Sequence, residues 1–217
     1  MAKSVYSVVL SDEVVAAIDK LAYTEGTSRS KLIDRVLAQY AGCDIPGQRM
    51  TDIFRCIERM AGLEEQFRLL INPSDELLQL KSAVPYKYNP TVKYAVELYE
   101  NDPTALGELR VSMRTQSQPL LAVLGRFFLL WVQLEEHSFH DGSYLSFEVA
   151  DGKYTRQLRH LPGADDAQLG EAVAGYIKLF DRVLHLYFDA LGSGEEEARR
   201  RAAAGFRAGL TAPVARL

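Results

Sequence analysis

The sequence predicts an α+β protein in two parts: a short strand with two helices at the N-terminus, then a larger block mixing strands and helices. Three observations carry this expectation. Residues 4–10 alternate in the period-two manner of a strand, two helical apolar repeats separated by a glycine follow, and beyond residue 75 strand-like alternation is interleaved with long amphipathic patterns. With 217 residues, 47% hydrophobic and 25% charged, the chain has room for one or two domains of ordinary globular make-up.

In the first run Ser4, Tyr6, Val8 and Leu10 take the even positions and Val5, Ser7 and Val9 the odd ones. Ser11-Asp12-Glu13 then supplies a hydroxyl cap and acids for the positive end of a helix. Val14, Val15, Ile18, Leu21 and Ala22 recur at helical spacing up to Gly26. Ser28 caps a second helix with Leu32, Ile33, Val36, Leu37 and Tyr40 on one face, closed by Gly42. A single strand has two unpaired edges and two short helices enclose little core, so residues 1–42 need a symmetric partner. In such an obligate dimer the two strands pair antiparallel and four helices pack beneath them.

Residues 43–74 read as a connector and a helix. Pro46-Gly47 marks a turn within 43–50, and Ile53, Phe54, Ile57, Met60, Leu63, Phe67, Leu70 and Ile71 describe a helix over 51–71, with a break at Gly62 and a stop at Asn72-Pro73-Ser74. Residues 75–191 form the α+β domain. Its strands are expected at 91–99, 108–115, 144–149 and 154–161, the last two flanking an Asp151-Gly152 hairpin turn; its helices are expected at 120–136 and 165–191. In the tail, 192–217, Glu195, Glu196 and Glu197 each stand four residues before an arginine, as in a solvated terminal helix.

Residues 4–41 resemble the ribbon-helix-helix family of DNA-binding proteins, of the CopG or Arc/MetJ type. The likeness lies in Val9-Leu10-Ser11-Asp12-Glu13, Ile18-Asp19-Lys20-Leu21-Ala22, Glu25-Gly26-Thr27-Ser28-Arg29-Ser30, and Leu32-Ile33 with Tyr40. It implies a two-stranded ribbon in the major groove, with Lys3, Val5, Ser7 and Val9 facing DNA and Tyr6, Val8 and Leu10 facing the shared core. The family commonly places Arg, Lys, Thr, Asn or Gln on that outer face. Here only Lys3 and Ser7 form hydrogen bonds, while Val5 and Val9 offer contact to thymine methyls, so few bases are read directly. The resemblance also implies a phosphate clamp at the start of the second helix, where Thr27, Ser28, Arg29 and Ser30 supply N–H groups and hydroxyls and Arg29 and Lys31 add charge. The expectation is therefore a homodimeric, sequence-specific transcriptional regulator, in the first instance a repressor, that binds double-stranded DNA without a cofactor. A second reading, an antitoxin-like protein that binds a partner through its C-terminal domain, sits poorly with a folded block of that size.

Charge sets a limit on affinity. Residues 1–41 hold Lys3, Lys20, Arg29, Lys31 and Arg35 against Asp12, Glu13, Asp19, Glu25 and Asp34, so the module is neutral within a chain of net charge −4. Few phosphates are neutralised, which predicts weak binding at an isolated site and a shallow salt dependence. Cooperative binding of several dimers would compensate. So would Lys81, Lys87, Lys93, Arg110 and Arg114, although a solvated sheet face explains those five more simply.

Other classes of function lack support in the sequence. No phosphate loop, nucleophile elbow or His-Glu-x-x-His motif is present, and the chain is not expected to be an enzyme. His137 and His140, with Glu136 or Asp141, have a spacing that suits a metal, but they sit at a helix C-terminus where such residues are common, and no metal is expected. Cys43 and Cys56 read as buried thiols, Gly170 and Gly175 as close-packing positions, and Tyr86, Tyr88, Tyr94 and Tyr99 as core and sheet packing rather than a ligand pocket. The apolar stretch 120–134 is interrupted by Gly125, Arg126 and Gln133, short of the ~20 apolar residues of a membrane span. No signal-peptide pattern opens the chain, so a cytoplasmic protein is expected.

Overall fold

Helix α1 (Asp12–Thr24) and helix α2 (Arg29–Ala41) fall where their apolar repeats and capping residues place them. Gly42 ends α2 with φ of 67°, the left-handed conformation glycine adopts without strain. The computed structural model describes residues 7–24, 27–42, 46–62, 66–70, 76–100, 102–138, 146–150 and 152–217. The chain divides into two compact units, Met1–Gln48 and Arg49–Leu217. Among the described residues the protein is α+β, with seven helices and one six-stranded antiparallel sheet.

That sheet comes wholly after the first three helices. Residues 7–10, the described part of the strand expected over 4–10, pair with no other described segment; residues 4–6 lie outside the described set. A lone strand has nothing to pair with inside one copy of this unit.

Helix α3 runs Pro46–Gly62, starting five residues earlier than expected and stopping nine earlier. Pro46 opens the helix instead of marking a turn, because its fixed φ and missing N–H suit a first helical position. After Gly62 the chain becomes strand β1 (Arg68–Leu69), where a helix was expected to continue to residue 71. The Leu70 N–H donates to the Gln79 carbonyl at 2.9 Å, so backbone pairing with the next strand overrides the helical spacing. That strand, β2 (Leu77–Ala83), was not anticipated, since its inward set, Leu78, Leu80 and Ser82, ends in a polar residue.

Strands β3 (Thr91–Leu98), β4 (Gly107–Met113), β5 (Phe147–Ala150) and β6 (Lys153–Leu158) match the expected positions, with ends shifted by a few residues. The sheet order is β1-β2-β3-β4-β6-β5. Helices α4 (Gln118–Ser138) and α5 (Asp166–Ala190) cover one face. Phe180 of α5 stands at the centre, its ring 4.5 Å from Trp131, 5.4 Å from Tyr154, 5.5 Å from Phe127 and 6.1 Å from Tyr94. Asp165 and Gln168 close a capping box at the start of α5.

Helix α6 (Glu195–Gly209) is not a solvated tail. Ala198, Ala202 and Phe206 are buried, and a Cβ at Gly205 or Gly209 would overlap Leu186 or Leu179 of α5. Small residues on one face let the helix seat closely. Glu195, expected to pair with Arg199, instead accepts from Tyr187 and from Arg126 at 3.3 Å, while Glu197 pairs with Arg200 and Arg201. Short helix α7 (Ala212–Ala215) buries Val214.

A polar chain crosses this core. Trp131 donates to the Tyr176 hydroxyl at 2.8 Å, and Tyr154 donates to Glu135 at 2.6 Å. With its own proton committed to Glu135, Tyr154 accepts from Tyr176 at 2.9 Å. The other Glu135 oxygen lies 2.9 Å from Nε of Arg156, and both charged side chains are fully buried. A second buried acid, Asp181, accepts from Tyr94 at 2.7 Å. Burial pushes the phenols of Tyr94, Tyr154 and Tyr176 well above their ordinary range, reinforced by Asp181 at Tyr94, by Tyr176 and Glu135 at Tyr154 and by Glu135 at Tyr176. Burial with Glu195 pushes the phenol of Tyr187 up to about 12.

The packing and the phenols each give an expected outcome. Gly170 in α5 would place a Cβ 2.5 Å from that of Cys56 and 2.9 Å from the Ile53 carbonyl, whereas Gly125 in α4 meets nothing within 4 Å. Alanine at 125 is expected to raise stability by about 0.5–1 kcal/mol through helix propensity, and alanine at 170 to lower it by roughly 1–3 kcal/mol through overpacking; urea midpoints of the two variants read the opposite signs. The phenols favour the folded state only while they stay protonated. Their contribution is complete below pH 10, the ordinary tyrosine value, and is lost as pH rises above it, because the unfolded chain ionises first. The urea midpoint should therefore fall above pH 10, and phenolate absorbance should grow in step with unfolding.

Candidate nucleic-acid interface

The N-terminal unit buries very little of its own apolar surface. Among its described residues only Ala22 and Leu32 are buried among hydrophobics, while Leu21 is 50% exposed, Leu37 56% and Tyr40 93%. Val8, Val9, Val14, Val15 and Val36 are also exposed. All of these except Val9 belong to the set that the sequence assigns to a shared core.

At the start of α2, Oγ of Ser28 accepts from the Lys31 N–H at 3.3 Å, and the Ser28 carbonyl receives the first helical bond, from Leu32, at 3.0 Å. The N–H groups of Arg29 and Ser30 precede that bond and have no partner within the helix. Ser28, Arg29, Ser30 and Lys31 are exposed and Thr27 is half-buried, so this helix end presents donors and positive charge to solvent. The Arg29 guanidinium also forms an ion pair with Asp19 of α1, donating to Oδ2 at 2.6 Å. The arginine is thereby aimed and partly neutralised, which a one-dimensional reading of residues ten apart did not find. Ser7 and Val9, of the expected base-reading face, are exposed; Lys3 and Val5 lie outside the described residues.

The second unit sorts the five downstream cations. Lys81 and Lys93 are directly opposite in the register of β2 and β3. Lys87 lies over the ring of Tyr88 in the turn between them, at 5.2 Å. Arg110 is taken up by Glu97 and Glu108, and Arg114 is exposed beyond β4. The tyrosines go to packing or surface: Tyr94 to the core, Tyr86 against Phe188 at 5.7 Å, Tyr99 to Glu108 at 3.1 Å, and Tyr88 to solvent.

Nδ1 of His137 lies 2.7 Å from the Gln133 carbonyl on its own helix; His140 and Asp141 lie outside the described residues. Both ring nitrogens of His185 lie 2.8 Å from carbonyl oxygens, those of Asp181 and Ala83. Among the described residues no group of three or more His, Cys, Asp or Glu is placed to hold a metal ion, and no helix is long and apolar enough to cross a membrane. Cys56 is a buried free thiol; Cys43 is outside the described residues. Two open clefts flank α5, of about 450 Å³ beside Lys178, Arg182 and His185 and about 610 Å³ beside Leu161, Glu171 and Pro213. No charged residue lining either one is buried.

Compared with family models, with curated proteins and with solved structures, the chain finds no match.

Proposed function

We propose that the protein is a homodimeric DNA-binding transcriptional regulator whose N-terminal unit is completed by a second copy of itself, with the larger unit serving oligomerisation or effector response. The observation that carries this reading is the apolar surface left open on a helix pair that buries almost nothing. Residues 4–10 of two copies, paired antiparallel above those faces, would cover them and satisfy both strands at once. The ribbon so formed fits a major groove. The free N–H groups and exposed cations at the start of α2 suit a backbone phosphate beside it.

The Arg29–Asp19 pair defines how that phosphate would be met. Both groups are substantially exposed, at 66% and 36%, so the pair contributes at most about 1 kcal/mol to stability. An arriving phosphate therefore competes with Asp19 at little cost, and Asp19 keeps the guanidinium near the helix end in the free protein.

Two experiments test this reading. Sedimentation of the full-length protein should give a dimer, and Leu37→Glu should raise its dissociation constant at least tenfold, since burying each leucine contributes about 1.5–3 kcal/mol; a wild-type monomer would remove the shared core. Duplex fragments selected from the source genome should bind the wild type. Arg29→Ala should weaken that binding roughly 10–100-fold, the value of a charge-assisted contact of about 1.5–3 kcal/mol, with the dimer intact, and Asp19→Asn should tighten it. Binding indifferent to both changes would sink the clamp.

A further inference from the structure

The face of the sheet turned away from α4 and α5 carries a row of cations that no single strand reveals. In the pairing register Arg68 of β1 stands opposite Lys81 of β2, Lys81 opposite Lys93 of β3, Lys93 opposite Ser112 of β4, and Ser112 opposite Lys153 of β6. All five alternate with core residues such as Leu80, Tyr94, Val111 and Tyr154, so their side chains share the outer face. Each is exposed or half-exposed. None of the four cations is in an ion pair with a described residue, whereas Arg110 on the same face is neutralised by Glu97 and Glu108.

Like charges directly across a strand pair oppose each other and weaken the sheet. Lys81 has such a neighbour on both sides, Arg68 and Lys93. Among the described acids of this face, Glu97 and Glu108 stand by Arg110 and Glu148 of β5 stands opposite Thr155, and none lies between the lysines. An extended polyanion lying across the strands would relieve that repulsion.

We infer that this row, Arg68, Lys81, Lys93 and Lys153 with the Ser112 hydroxyl between the last two, is a second DNA contact that grips the phosphate backbone of a duplex without reading its bases. The identity of the polyanion rests on the DNA-binding reading above; the placement of the contact rests on the sheet alone. Five strands at about 4.8 Å spacing give a row of about 19 Å, a length over which one DNA strand presents about five phosphates. No aromatic residue stands in the row itself, and Tyr99 of this face is tied to Glu108 at the far end of β4, so the row lacks the stacking platform by which sheets hold single strands. It likewise lacks the large apolar anchors of a membrane-seated surface. The row also supplies the positive charge that the neutral N-terminal module is short of.

The test compares the full-length wild type with Lys81→Gln/Lys93→Gln/Lys153→Gln, with Arg29→Ala, and with a control of equal charge change away from the row, Lys178→Gln/Arg182→Gln/Arg207→Gln. Binding to several duplexes of unrelated sequence is measured across salt. The sheet variant should melt at or above the wild-type temperature, since a like-charge pair is removed. Its affinity should fall at least about tenfold on every duplex, and the slope of log affinity against log salt should drop by about 0.9 for each phosphate no longer neutralised. The same fall in the Arg29→Ala background supports an independent contact. If the sheet variant alone fails to bind, the row stands and the helix clamp fails. If it binds as the wild type does while Arg29→Ala is impaired, the row is solvent surface and the N-terminal reading survives. An equal fall in the control triple would trace the effect to net charge and overturn the row. A wild type that retains no duplex at low salt overturns both readings.

Discussion

A fully buried arginine on a core-facing strand position constrains the second unit more than any other group. Arg156 occupies the inward side of β6, where alternation calls for a hydrophobe, and burial disfavours its charge. Glu135 of α4 more than restores it, followed by Tyr176 and Tyr154. The guanidinium also lies over the Tyr176 ring, 4.7 Å from its centroid, and donates to the Leu217 carbonyl at 3.1 Å. One side chain therefore ties β6 to α4, α5 and the last described residue. An ion pair so placed contributes little net stability over an apolar core, yet leaving either partner alone costs several kcal/mol. Packings that separate Glu135 from Arg156 are disfavoured by that amount.

The aromatic layer is arranged around the same constraint. Trp131, Tyr176 and Tyr154 form a donor chain ending on Glu135, so each ring contributes apolar area and satisfies its polar atom. Phe180, with no polar atom, fills the space between them. Close helix contacts complete the assembly: Gly170 admits α3 to α5, and Ala198, Ala202 and Gly205 admit α6. The antiparallel sheet is thus covered on one face and left polar on the other, which makes its outer face available for charge.

The two units differ in how they meet the requirement to bury apolar surface. The second encloses a continuous core of its own. The first leaves most of its valines, leucines and Tyr40 open, and a symmetric partner supplies the missing cover in the function proposed here. On that proposal, its neutral balance of charge and the Arg29–Asp19 pair would both moderate its affinity for phosphate.

The local pattern of residues was enough to place α1, α2, α4, α5 and the strands β3 to β6, because each carries a clean apolar period or a strong turn. It also singled out Ser28 and Arg29 at a helix start, from capping chemistry that acts over three or four residues. It failed where long-range pairing overrode local spacing, turning residues 68–69 into strand, and where an inward position of β2 was polar, at Ser82. It took α6 for a solvated helix because small residues signal close approach only once a neighbour is known. The Arg29–Asp19 pair, the Glu135–Arg156 pair and the row from Arg68 to Lys153 join residues far apart in the chain. Periodicity records which face of an element is apolar; strand register and helix packing alone decide which charges become neighbours.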